Sequence, residues 1–308
     1  MTTVLLMDSR AEEIRAQLHA SGLPIDLALS DGSAEQAQRH DIWLGEPDAA
    51  AVLLAQGAQP KWLQSTWAGF KPLLAMGLPR DYRLSRAVGV FGQPIAEYVI
   101  AQLLRHELQL DERQRSQNQR EWHHRLPGSL AGKKALIVGA GEIGCEVAGF
   151  LQPFGIELYG IVNAPRRLPG FNDVMGMDGL QTAVKDADYV INLLPDTAAT
   201  TDVYHSALFA AMKTSALFIN VGRGTAVVDE DLLAALRAKQ ISGAVLDVFR
   251  QEPLPKTHPF WQAPNLTISA HIAGPMVPAL LVRLFLDNLA RLRQGETLRG
   301  EVDFTKGY

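Results

Sequence analysis

A two-lobed α/β protein built on parallel sheets is predicted from three observations. The chain is about twice the length of an ordinary domain, short apolar runs alternate with helical patterns along most of it, and a glycine-rich turn sits between a strand and a helix near its middle. Of the 308 residues, 47% are hydrophobic and 20% charged, the balance of an ordinary globular protein. A net charge of -4 with no basic stripe argues against nucleic acid as a partner, and the Arg/Gln/His stretch from Arg113 to Arg125 reads as a solvated face. No apolar run approaches the roughly 18 residues of a membrane span, and the strand-like residues 4–7 follow the first Met without a basic leader. A soluble cytoplasmic protein with no membrane partner is expected. Cys145 is the single cysteine, which rules out an intrachain disulfide and suits a reducing compartment. It reads as a small buried residue on a helix.

In the first lobe, residues 4–7, 11–20, 25–29, 42–44, 49–54 and 62–65 alternate between β-rich runs and helical patterns. Residues 94–115 then form one helical stretch, opened by Pro94 and carrying Ile95, Val99, Leu103 and Leu104 at helical spacing. It is placed to cross between lobes. A second α/β series supplies strand candidates at 135–138, 157–162, 189–193, 217–221, 244–248 and 267–269. The last helix, 277–293, is expected to return to the first lobe. The predicted division is therefore 1–93 with 276–308 for one domain and 94–275 for the other.

The strand at 135–138 runs directly into Gly139-Ala140-Gly141-Glu142-Ile143-Gly144 and then into a helical run. Gly139 permits the tight turn, Gly141 lets the backbone approach a pyrophosphate, and Gly144 permits close helix-strand packing. The helix start, from Glu142 and Ile143 onward, presents N–H donors to an anion. A Rossmann dinucleotide-binding domain is predicted, with the six strands that such a fold requires. An NAD-preferring site places a carboxylate at the end of the second strand to hold the ribose 2′-hydroxyl. Here that strand ends in Asn163, with Arg166 and Arg167 just beyond. Asn163 does not repel a 2′-phosphate, and two guanidinium groups can hold one, so NADP(H) is favoured while NAD(H) is also admitted. The competing reading makes Arg166 and Arg167 solvated loop charges.

Three later segments are distinctive: Leu217-Phe218-Ile219-Asn220-Val221-Gly222-Arg223-Gly224, Leu246-Asp247-Val248-Phe249-Arg250-Gln251-Glu252-Pro253-Leu254 and Ser269-Ala270-His271-Ile272-Ala273-Gly274. With the glycine turn, and in this order, they resemble the signature blocks of the D-2-hydroxyacid dehydrogenases across most of residues 134–274. Gln64-Ser65-Thr66-Trp67-Ala68-Gly69, and the closing Gly300-Glu301-Val302-Asp303 to Gly307-Tyr308, resemble the glyoxylate/hydroxypyruvate reductase branch of that family. The resemblance implies a Rossmann domain with a flavodoxin-like substrate domain formed by both chain termini. It also implies a homodimer that uses the 94–115 region, and NAD(P)H-dependent reduction of small 2-oxo acids such as glyoxylate or hydroxypyruvate.

Such a reduction needs a cation to hold the carboxylate, a proton donor effective near neutral pH, and a hydride source over the carbonyl carbon. Arg223, at a strand end where open α/β sheets bind ligands, can supply the bidentate fork. His271 can supply the proton, because imidazole changes charge near neutral pH. The resemblance assigns to Glu252 the support of the charged imidazole. It also implies that backbone N–H groups of Trp67, Ala68 and Gly69 meet the substrate carboxylate, Gly69 allowing close approach. Leu194, Pro195, Thr200, Val221, Gly222 and Asp247 would lie along the cofactor. Trp43 is a candidate wall of the substrate pocket, with an ordinary core position as the competing reading. Many relatives carry Ala or Ser at Gly222, and a Thr where Pro275-Met276 stands, so substrate preference does not transfer from the family.

A formate dehydrogenase would be expected to carry Gln in place of Glu252, and a phosphoglycerate dehydrogenase a further regulatory domain, for which this length leaves no room. From a different class, a dinucleotide-sensing corepressor can share the architecture; turnover of NADPH with glyoxylate separates it from an enzyme. No metal site is expected, since the eight His residues form no HExxH and the one Cys no CxxC.

Overall fold

The computed structural model describes residues 2–305, so Gly307 and Tyr308 of the C-terminal resemblance lie outside the described residues. The chain divides into two units, Met1–Phe91 with Met276–Tyr308 and Gly92–Pro275. In the first unit, β1 (Thr2–Met7), α1 (Ala11–Ala20), β2 (Ile25–Leu29), α2 (Ala34–Ala37), β3 (Ile42–Gly45), α3 (Pro47–Ala55), β4 (Trp62–Ser65) and β5 (Arg83–Ser85) follow one another. The strands form a parallel sheet in the order β2-β1-β3-β4-β5, the flavodoxin-like order. Val4, Leu5, Leu6 and Leu44 are all buried, because both faces of the central strands are covered.

The pocket-wall expectation for Trp43 is corrected here. Its side chain is fully buried among Leu5, Leu53, Leu54 and Leu63, and its indole N–H donates to the carbonyls of Ala37 and His40 at 3.3 and 3.0 Å. Strand alternation carries it into the core, where a buried indole N–H needs such an acceptor.

The second unit opens with α4 (Gly92–Glu107) and α5 (Leu110–Gln119), which correct the single helix expected over 94–115. The apolar stripe of α4 ends near Leu108, and Gln109 then adopts a left-handed conformation with φ 52, which breaks the helix. There follow β6 (Lys134–Val138), α6 (Glu142–Leu151), β7 (Glu157–Ile161), β8 (Asp173–Met175), α7 (Leu180–Ala183), β9 (Tyr189–Asn192), α8 (Ser206–Ala211), β10 (Leu217–Asn220), α9 (Asp229–Arg237), β11 (Gly243–Leu246) and β12 (Leu266–Ile268). The sheet runs β12-β11-β10-β9-β6-β7-β8, seven parallel strands with the Rossmann order extended by one. β8, the strand beyond the expected six, is a three-residue edge strand paired to β7. Strand order reverses between β6 and β9, and the crevice at the carboxyl ends of those strands is where open sheets of this kind receive ligands.

The chain then returns to the first unit as α10 (Pro278–Gln294), which packs on α1 and stops at Gly295 with φ 70. Phe285 of α10 stacks on Trp62 at 5.2 Å between centroids. Asn288 donates to the buried Gln64 Oε1 at 2.8 Å, and Val302 N–H donates to Leu84 O at 2.9 Å. The C-terminal segment thereby joins the sheet edge at β5. Among the described residues no helix is long and apolar enough to cross a membrane.

Candidate active site

At the reversal of strand order, the turn after β6 is pressed against the loop after β9. Gly139 has φ 95, and a Cβ there would lie 2.8 Å from the Leu193 carbonyl group. Gly144 lies under Gly139 with equally little room, since a Cβ would meet Gly139 O at 2.7 Å. Gly141 is different, for a Cβ there would meet nothing within 4 Å. The turn is thus closed toward the protein and open at the start of α6, where Gly141 as N-cap brings no side chain to the first-turn N–H groups. Asn163, Arg166 and Arg167 are exposed on the loop following β7, the neighbour of β6. Burial pushes the Cys145 thiol up, and the Arg166 guanidinium partly offsets it.

The opposite side of the crevice is built on two buried asparagines. Asn192, ending β9, donates to Asn220 Oδ1 at 2.8 Å and accepts from Leu194 N–H at 3.2 Å. Asn220, ending β10, accepts from Gly222 N–H at 3.1 Å and donates to Arg223 O at 3.1 Å. Leu194 and Val221 are nearly buried, whereas Pro195 is exposed and Thr200 donates to Pro195 O at 2.5 Å. Arg223 donates to Gly222 O at 2.6 Å. Burial lowers the pKa of its guanidinium from the usual arginine range, while Asp196 and Glu252 draw it back up. Gly224 lies directly on the next loop, where a Cβ would come within 1.9 Å of the Phe249 carbonyl carbon. Arg250 fastens that loop further, donating to Val227 O at 2.6 Å and pairing with Asp202.

Glu252 accepts Phe249 N–H at Oε1 at 2.9 Å and meets His271 Nδ1 at Oε2 at 2.7 Å. Both side chains are part-exposed, at 35% and 40%. His271 has φ 55, a left-handed conformation that costs a non-glycine residue on the order of 1–3 kcal/mol. It is held there by Asp247, itself 1% exposed, whose main-chain oxygen accepts His271 N–H at 2.8 Å. The structure therefore brings Arg223, Glu252 and His271 onto adjoining loops of the second unit. Trp67, Ala68 and Gly69 belong to the first unit, on the loop after β4, where Trp67 is 47% exposed and Trp67 N–H donates to Ser65 Oγ at 3.1 Å. Among the described residues no group of three or more His, Cys, Asp or Glu is placed to hold a metal ion.

The family model for the NAD binding domain of D-isomer specific 2-hydroxyacid dehydrogenases matches residues 99–273. The chain belongs to that family. It is 35% identical over 212 residues to the glyoxylate/hydroxypyruvate reductase A of Yersinia enterocolitica, covering 69% of this chain and 68% of that protein. To the protein of the same name from Citrobacter koseri it is 32% identical over 265 residues, covering 83% and 85%. A solved D-isomer specific 2-hydroxyacid dehydrogenase family protein from Aeromonas salmonicida matches with a TM-score of 0.92 at 34% identity, over 98% of this chain and 99% of that one. The NADPH-dependent glyoxylate/hydroxypyruvate reductase of Sinorhizobium meliloti, solved with NADP and sulfate, matches with a TM-score of 0.87 at 26% identity over 100% of both chains.

This dehydrogenase is thus an oxidoreductase whose second unit is built for a nicotinamide dinucleotide. The residues present fit that group: glycines occur where a side chain would fill the crevice, and an uncapped helix start faces the open side. Sequence reasoning missed Asn192 and Asn220 as supports, Asp196 beside Arg223, and Tyr98 and Ser269 near Asp247. For the two asparagines a signal existed, since polar residues closing apolar strands need buried partners.

Proposed function

We propose that this dehydrogenase reduces small 2-oxo acids, glyoxylate and hydroxypyruvate among them, with NADPH as the preferred reductant. The observation that carries the reading is the 2.7 Å hydrogen bond between His271 Nδ1 and Glu252 Oε2 on the loop that packs against Gly224. An ionised carboxylate only accepts, so Nδ1 carries the proton of that bond, and a second proton on Nε2 is the one His271 delivers. Arg223 holds the substrate carboxylate and polarises the carbonyl oxygen through its planar fork. When bound, the nicotinamide supplies a hydride to the carbonyl carbon. His271 protonates the carbonyl oxygen as the 2-hydroxy acid forms, and regains its proton from solvent. In the first unit, the backbone N–H groups of Ala68 and Gly69 are the candidates for substrate contact, since that of Trp67 already donates to Ser65 Oγ.

Gly139, Gly141 and the first turn of α6, from Glu142 and Ile143 to Gly144, would receive the pyrophosphate. Leu194, Pro195, Thr200, Val221, Gly222 and Asp247 would flank the remainder of the cofactor. Arg166 and Arg167 would hold the 2′-phosphate, with Asn163 offering no repelling charge. Supporting this preference, Asn163, Arg166 and Arg167 are exposed on the loop following β7, the strand paired with β6, which leads into the glycine turn. The test is a panel of glyoxylate, hydroxypyruvate, pyruvate and phenylpyruvate with NADPH and with NADH. Turnover of glyoxylate and hydroxypyruvate with NADPH is expected; no turnover with any of the four would overturn the reading.

A further inference from the structure

A chain of hydrogen bonds runs from α4 to the loop that carries His271. Tyr98 Oη lies 2.7 Å from Ser269 Oγ, and Ser269 Oγ lies 2.5 Å from Asp247 Oδ1. The directions follow from the chemistry of the acceptor. An ionised carboxylate has no proton to give, so the single Ser269 hydroxyl proton goes to Asp247, and the Tyr98 hydroxyl must donate to Ser269. Burial, the largest influence on the Tyr98 phenol, lifts its pKa above the ordinary range and keeps it protonated for that role.

At the other end, Asp247 gathers the backbone of the proton-donor loop. Its Oδ1 accepts Ile272 N–H at 2.9 Å, its Oδ2 accepts Ala273 N–H at 2.9 Å, and its main-chain oxygen accepts His271 N–H at 2.8 Å. Three consecutive N–H groups therefore converge on one buried residue. Such over-determination is what a left-handed histidine backbone requires in order to persist. The carboxylate can hold this loop only if its own rotamer is held, and the donor on its outer side is Ser269, oriented in turn by Tyr98.

We infer that Tyr98 and Ser269 are positioning residues for proton transfer, acting through Asp247 to set the His271 imidazole against Glu252. The inference rests on His271 being the proton donor. A displacement of a reacting group on the order of 1 Å can cost about a hundredfold in rate, so modest loosening of the loop is measurable. The experiment compares Ser269→Ala, Ser269→Thr, Tyr98→Phe and His271→Ala, with two readouts: steady-state kinetics with glyoxylate and NADPH, and the low-field Nδ1–H proton resonance of His271, identified by its loss in His271→Ala. Ser269→Ala is expected to lower kcat about tenfold, with KM for NADPH within twofold, and to shift or broaden the resonance. Tyr98→Phe should do the same to a lesser degree, about threefold in kcat, and Ser269→Thr, which keeps the hydroxyl, should restore both readouts. Tyr98→Phe removes one oxygen from a part-exposed residue, so it reports even if Ser269→Ala fails to fold. Wild-type kcat and an unmoved resonance in Tyr98→Phe and in any folded Ser269→Ala, with His271→Ala inactive, would overturn the inference alone. Retained activity in His271→Ala would instead overturn the proton-donor reading beneath it.

Discussion

Arg223 is held in place by its own surroundings on the loop after β10. Its carbonyl is tied to Asn220, one guanidinium nitrogen to Gly222 O, and two carboxylates, Asp196 and Glu252, sustain its charge against burial. Arg223→Ala should lower kcat/KM for every 2-oxo acid at least a hundredfold, equivalent to about 3 kcal/mol of transition-state stabilisation; near-wild-type kcat/KM would remove Arg223 from substrate binding. The cofactor preference is also a residue-scale matter. Charge-assisted bonds from Arg166 and Arg167 to a 2′-phosphate would be weakened by solvent, since both residues are exposed, yet about 1.5 kcal/mol is enough for tenfold. NADPH should therefore exceed NADH at least about tenfold in kcat/KM, and Arg166→Ala with Arg167→Ala should erase most of the gap through KM for NADPH. Equal use of both cofactors by the unmodified protein would return the two arginines to solvated loop charges.

At the scale of elements, the loops closing β9 and β10 are packed so tightly that composition becomes obligatory. A Cβ on Gly222 would lie 2.9 Å from both the N and O of Leu194. Gly222→Ala should cost on the order of 1–3 kcal/mol in urea unfolding, because backbone rather than a flexible side chain must yield; an unchanged midpoint would mean the loop after β9 is free to shift. The core beneath these strands holds a liability instead. Tyr204 is fully buried beside Phe209 and Phe218, with ring centroids at 6.4 and 4.6 Å, and its hydroxyl has no hydrogen-bond partner among the described residues. Burial drives its pKa well above the usual phenol value, so the group stays a neutral donor without an acceptor. Tyr204→Phe should therefore leave stability unchanged or raise it by about 1 kcal/mol, read as the thermal midpoint; a clear loss would reveal a partner for the hydroxyl.

On the scale of the whole molecule, the first unit is made of both ends of the chain, and its completeness depends on α10. Phe285 stacks on Trp62 in a core that also takes Leu281, Val282, Leu284 and Leu289 from the same helix. Phe285→Ala should destabilise that unit by about 3–5 kcal/mol in denaturant unfolding, the usual cost of emptying a buried aromatic site. An unaltered unfolding curve would mean that the α10 contact contributes little.

How much of this was legible beforehand depends on whether the determining interaction lies within neighbouring residues or across the fold. The alternation of strands and helices and the turn from Gly139 to Gly144 are local, because apolar period and backbone demand are written in consecutive positions, whereas the three blocks containing Arg223, Glu252 and His271 were legible through their resemblance to the family's signature segments. The three-residue strands β5 and β8 escaped notice because pairing to β4 and β7, rather than any local period, holds them; β12 is as short and was expected at 267–269. The break at Gln109 and the burial of Trp43 were decided by packing, since periodicity shows which residues are apolar but not where a stripe ends or which face a Trp takes. The tertiary structure alone decided that Tyr98 meets Ser269, 171 positions away, and that Asp247 collects the N–H groups around His271. Polar partners separated by that distance leave no periodic trace; they become neighbours only when the strands and helices between them have packed.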